Sequence, residues 1–368
     1  FYLNALGNFR DLLGVSAKSA AMSRYLDGEN NRKGIPNENY AREVMELHTM
    51  GVDGGYTEDD IKQLARILTG WTWTRDNDTE SRYAFDRSAR SYYPKVYPFK
   101  FKSADHDEGS VKGDKPLLVE NEGRVIVSRS GADGVNEGEE ALDSLANHTS
   151  TANFICQKLT MKFISDTPMA ETVDDCKSVF LASRDDSDQI AQVLRAIFAS
   201  PEFLTTNSHR NKLKDTQEYI LSLGRLLEWN ATANPGNQDI RKNNIGWRVN
   251  DAGQGFFMQP APIGWPEFTE AWDHTGTHTL RTQQANKAIH NSYYSPSLLK
   301  FFRDENDRLI ASDIVAFLLP RTTGGYYDGI DIQTAYEVLY DGGERVVSED
   351  GLRALVAWLV LRPEFHLQ

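Results

Sequence analysis

Asn39, Arg42, Glu43 and Glu46 stand at i, i+3, i+4 and i+7, so a helix through them gathers all of them into one polar stripe. Two carboxylates one turn apart repel, which separates their proton affinities. One can then serve as an ionised base and the other as a protonated acid, while Arg42 holds an anionic group. The pattern suits acid–base work on a polar substrate, although most glycosidases set their carboxylates on opposite sides of the bond. The same residues equally suit an ion-pair network that fixes the helix. The second candidate is Asp105-His106-Asp107-Glu108-Gly109. There His106 could act as a general base oriented by Asp107, Asp105 and Asp107 could hold calcium, or the run could be a solvated acidic turn. Trp71 and Trp265, with Asn39, are the candidate substrate-binding residues, because aromatic rings beside carboxylates and an arginine suit a sugar. Tryptophans also fill helical cores.

The elements that must position these groups follow from the spacing of apolar residues. Pro36 and Asn37 signal a helix start, and Tyr40, Ala41, Val44, Leu47 and Met50 recur at helical spacing until Gly51 can cap the end. Thr57 begins a second helix that buries Ile61, Leu64, Ala65, Ile67 and Leu68; its hydroxyl is placed to reach the amide near Asp60. Between them, Asp53-Gly54-Gly55-Tyr56-Thr57 reads as a glycine turn, since the preceding positions lack the ligands of an EF-hand. His48 is five and two residues from Glu43 and Glu46, off their face, and reads as a core histidine.

Outside this region, residues 1–27 read as helical and 28–36 as a polar loop. Residues 74–140 form an irregular arm with strand-like pieces at 97–102 and 124–128. Helical periodicity returns at Glu139 and continues over 151–164, 170–183, 187–198 and 212–229, and again in the closing third. Ser200-Pro201-Glu202-Phe203 and Arg362-Pro363-Glu364-Phe365 look like one packing device used twice, each stopping a helix before a buried aromatic. The prolines of 259–266 predict an ordered loop. The expected fold is mainly α, one multi-helical domain over 1–368 with a partly β arm inside it.

Composition narrows the function. The 368 residues carry a formal charge of −13, which supplies no general field for binding nucleic acid. No apolar run is long enough to span a bilayer. There is no nucleophile elbow, phosphate loop, dinucleotide fingerprint or Cys-x-x-Cys pair. Cys156 and Cys176 lie on consecutive expected helices, where they are either a disulfide or two buried thiols.

Glu38-Asn39-Tyr40-Ala41-Arg42-Glu43, Glu46-Leu47-His48-Thr49-Met50-Gly51-Val52, Gly55-Tyr56-Thr57 and Leu68-Thr69-Gly70-Trp71 together closely resemble the signature of the bacterial domain-of-unknown-function 1800 family. Asn4 to Arg10, His106-Asp107, Ser200 to Phe203 and Gly264-Trp265-Pro266 extend the resemblance along the chain. It implies a predominantly helical protein exported to the periplasm or beyond, with relatives that carry further helices before the Phe1 position. It also implies a sulfatase-like protein encoded nearby as a partner. A lysine follows the His-Asp pair in relatives at a spacing that Lys112 misses by one residue. Export favours the disulfide. Two functions are open. One is a hydrolase of a polar, glycan-like substrate, with Arg42, Glu43 and Glu46 meeting His106 and Asp107 in one cavity. The other is a non-catalytic binding or assembly module.

Overall fold

The structure, a computed structural model, describes residues 1–74, 83–86, 91–94, 97–109, 113–205, 211–227, 245–256, 258–290, 302–303, 309–340 and 347–367. Its helices and strands run in the order α1 (Phe9–Ala17), α2 (Ala20–Tyr25), α3 (Glu38–Glu46), α4 (Glu58–Ile67), β1 (Trp71–Trp73), β2 (Tyr83–Asp86), β3 (Ser91–Pro94), β4 (Phe99–Phe101), β5 (Lys115–Leu117) and β6 (Arg124–Ile126). There follow α5 (Val135–Ala146), α6 (Thr149–Phe163), α7 (Ala170–Ala182), α8 (Gln189–Ala199), α9 (Thr216–Leu226), α10 (Ile245–Asp251), α11 (Thr275–His290), α12 (Ala311–Thr323), α13 (Gly329–Leu339), α14 (Glu349–Val360) and α15 (Pro363–His366). The protein is mainly α. Among the described residues the strands form antiparallel pairs only, β1 with β4, β2 with β3 and β5 with β6.

Contacts divide the chain into two compact units, Phe1–Thr160 with Pro168–Phe203, and Met161–Thr167 with Leu204–Gln368. The first unit buries Phe9 and Leu13 of α1, Val44 and Met45 of α3, Ile61 and Leu64 of α4, and Leu142 and Leu145 of α5. These are the inward positions of amphipathic helices, and removing them from water is the main term that holds the unit together. The second unit has its own core, where Tyr219 and Leu223 join Ile314, Leu318, Leu355 and Leu359. No helix among the described residues is long and apolar enough to cross a membrane.

Local chemistry explains where the signature elements begin and end. Asn37 caps α3 by accepting the Asn39 amide, and Thr57 and Asp60 cap α4 reciprocally, as the spacing predicts. The helix α3 stops at Glu46, however, short of the expected Met50. There the amides of Met50 and Gly51 both turn back to the Met45 carbonyl, and Thr49 donates its hydroxyl to the Val44 carbonyl. Gly51 at φ +83° and Gly55 at φ +86° then let the chain reverse into α4.

Cys156 of α6 and Cys176 of α7 are joined in a disulfide, and both are buried. The two Pro-Glu-Phe segments differ from the expected repeat. Phe365 is 3% exposed, whereas Phe203 is 37% exposed. It is Glu202 that is buried after α8, where its carboxylate accepts the Met169 amide. The strand pieces of the arm lie within the expected ranges at β4 and β6, but their partners β1 and β5 carry no alternation long enough to announce them.

Candidate functional site

The stripe on α3 is present and half exposed. Arg42 forks onto Glu58, its Nη1 and Nη2 donating to Oε1 and Oε2 at 2.8 and 2.7 Å, and it reaches Glu46 at 3.4 Å. The bond and charge of Glu58, followed by those of Glu46, hold the guanidinium more firmly protonated against its partial burial, while Arg42 in turn draws the Glu58 carboxyl below its usual range. Glu43 goes the other way. Burial, reinforced by the neighbouring Glu46 charge, raises its carboxyl against the opposing pull of Arg42. Tyr56, at the end of the glycine turn, is pushed up to about 12 by burial and by its bond to Glu46. Asn39 is exposed on the same helix. His48 is off this face; burial lowers its pKa, and its ring tilts against Tyr40 at 6.5 Å.

His106 is in the opposite environment, with no exposed surface at all. Its Nδ1 lies 2.9 Å from the Thr69 carbonyl oxygen and its Nε2 3.1 Å from Glu137 Oε1, somewhat off the line of a straight hydrogen bond. Glu137, in the first turn of α5, is also fully buried. Burial opposes its charge, but bonds from His106, Lys115 and the Arg129 amide outweigh it and hold the carboxyl below the usual range. Lys115 of β5, equally buried, donates to Glu137 and to the Asp107 carbonyl.

Asp107 closes this knot. Its Oδ2 accepts Arg66 Nε at 2.8 Å and its Oδ1 the Gly109 amide at 3.0 Å. Together with Lys115 these keep the carboxyl low in spite of burial. The Asp107 amide donates to Thr69 Oγ1, whose own proton goes to the Arg66 carbonyl. Arg66 also donates to Gln63 and to the Gly113 carbonyl. The backbone is fitted to the imidazole as well: a Cβ on Gly134 would stand 2.5 Å from a ring carbon of His106. What the arrangement can do chemically is tie α4, the arm and α5 together; a reacting atom has no room beside it.

The structure therefore gathers the sequence candidates into two groups. Arg42, Glu43 and Glu46 share one surface, and His106 and Asp107 share one interior. No hydrogen bond or ion pair among the described residues joins the groups. Asp105 stands 4.0 Å from Lys102, whereas the Asp107 oxygens turn to Arg66 and to the Gly109 amide. Among the described residues no three His, Cys, Asp or Glu side chains are grouped as metal ligands. Trp71 is 6% exposed, edge-on to Phe99 at 5.0 Å and packed against Gly138, which makes it core rather than a sugar platform. Trp265 belongs to the second unit, its Nε1 donating to the Gly255 carbonyl at 3.2 Å. Lys112 lies outside the described residues. Sequence reasoning missed Arg66, Thr69, Lys115 and Glu137, which come from separate elements and share no spacing. The one available signal was a lysine set between the strand-like pieces of the arm.

Fold and site define a mainly helical protein with two polar centres in its first unit, one at the surface of the signature helix and one sealed inside. The family model described as "Protein of unknown function (DUF1800)" matches residues 1–367, and the chain belongs to that family. No curated protein and no solved structure matches it.

Proposed function

We propose that this chain is an exported binding or assembly module whose signature segment is structural. The observation that carries the reading is the packing of His106, Glu137 and Lys115, all without solvent access, against one another and against Thr69 and Asp107. These are the groups nearest to an acid–base set, and a general base must reach the proton it takes. Export is supported by the Cys156–Cys176 disulfide, since such bonds persist in oxidising compartments. Exposed Val125 and Val127, two residues apart at β6, supply apolar surface for a partner. The family resemblance suggests a sulfatase-like protein for that role, and the aromatic and polar residue types read in the sequence suggest a glycan-like ligand.

A hydrolase centred on Arg42, Glu43 and Glu46 is the second reading, favoured by the raised carboxyl of Glu43. Capture from the native source with the wild-type chain and with Glu43→Gln separates the two. The module reading expects both proteins to retain the same partner. Failure of either to retain one, together with glycan cleavage by the wild type that Glu43→Gln abolishes, would establish the hydrolase instead.

A further inference from the structure

We propose that a groove beside β1 and β4 binds the acidic groups of an oligosaccharide, an inference that rests on the reading of the chain as a binding module and gives its ligand a chemical class. The pair β1–β4 sets Thr72 opposite Lys100 and Trp73 opposite Phe99. Side chains alternate along a strand, so Lys100 and Lys102 leave on one face while Phe99 and Phe101 leave on the other. The ladder continues far enough to hold Lys102, whose amide donates to the Gly70 carbonyl at 2.9 Å. Arg32 arrives from the polar loop before the signature. These cations, with Thr72, Trp73 and Glu29, line an open groove of about 400 Å³.

The charge of this groove runs against that of the molecule. The chain as a whole carries −13, yet Arg32, Lys100 and Lys102 converge here and all are exposed. Among the described residues neither Arg32 nor Lys100 meets a carboxylate, and Lys102 has only Asp105 at 4.0 Å. Glu29, the acidic group on the rim, is bonded to Arg24 at 2.9 Å. Like charges held together without counter-charges repel, and an anion between them removes that cost. A volume of this order suits a small ligand rather than a protein segment. Hydroxyls of Thr72 and Thr74 and the Asn30 amide add neutral donors and acceptors, as sugar hydroxyls require, and Trp73 adds an aromatic side chain. A long polyphosphate would gain the same cations but meet the negative field of the remaining surface, which disfavours nucleic acid.

Calorimetric titration of the full chain tests this with a uronic-acid oligosaccharide, its sulfated counterpart, a neutral oligosaccharide of equal length and a short single-stranded RNA. The acidic sugars are expected to bind and the neutral one not to. Lys100→Ala combined with Arg32→Ala should weaken acidic-sugar binding about tenfold or more, with Lys100→Arg close to wild type. Lys62→Ala, at an exposed lysine of α4 outside the groove, should change nothing. Equal losses in Lys62→Ala and the groove variant would mean diffuse charge attraction and overturn the proposal, as would tighter binding of the RNA. Acidic sugars bound equally by wild type and groove variant would overturn the groove while leaving a glycan-binding module in place. No sugar bound by a chain that still captures a protein partner would overturn the groove and leave the assembly reading standing.

Discussion

The stripe on α3 and the knot between α4, the arm and α5 are built from the same kinds of side chain, yet solvent treats them differently. Arg42 is about one-third exposed and Glu58 two-thirds exposed, so their fork exchanges readily with water and contributes little. In the knot, His106, Lys115 and Glu137 have no exposed surface, and each charge there depends on the others for solvation. Such a group is weak ground for extra stability over an apolar core, but losing one partner strands the rest. The lesson is that the residues most suggestive of catalysis by type are the ones least able to meet a substrate.

The comparison can be broken most forcefully at Lys115. Lys115→Met leaves Glu137 with a buried, under-compensated carboxylate and should cost about 3–5 kcal/mol, read as a shift of the urea midpoint. An unchanged midpoint would mean that the knot is slack. Gly134→Ala comes next. The backbone there is already helical, so alanine would ordinarily be tolerated, but its methyl would press on the His106 ring. A loss of about 1–3 kcal/mol is expected, and a gain would show that the ring can move aside.

Acid gives a sharper contrast of sign. Asp107 and Glu137 have folded pKa values below their unfolded ones, about 3.9 and about 4.3, so their contribution is complete above those values and disappears as pH falls through the folded ones. Glu43 is raised, so it costs stability as pH rises past its unfolded value. Stability measured against pH should therefore fall more shallowly on the acid side in Lys115→Met than in the wild type; identical slopes would remove the knot from the account. The smallest effect belongs to the stripe. Arg42→Ala should leave the thermal midpoint almost where it was, and a large drop would make the stripe a structural centre too.

Much of the framework was legible. The Thr57–Asp60 cap, the inward face of α4 and the grouping of Arg42, Glu43 and Glu46 all follow from residue spacing within one element. Local periodicity cannot show what a distant segment will cover. His106 in an acidic run reads as exposed until Glu137 and Thr69, from other elements, close over it. The early end of α3 was hidden for a related reason: Met50 is buried as a helical pattern requires, but through a turn that folds back on Met45. Trp71 likewise gives no sign in sequence that Gly138 will leave room for its ring.

The central claim is that buried charge at the knot is structural, while the carboxylate pair on α3 is dispensable to the fold. Denaturation of Glu137→Gln and Glu43→Gln side by side at neutral pH tests it most directly, since each removes one negative charge with little change in shape. The account expects a large loss for Glu137→Gln and no loss, or a small gain, for Glu43→Gln. A fully stable Glu137→Gln protein beside a destabilised Glu43→Gln would contradict it.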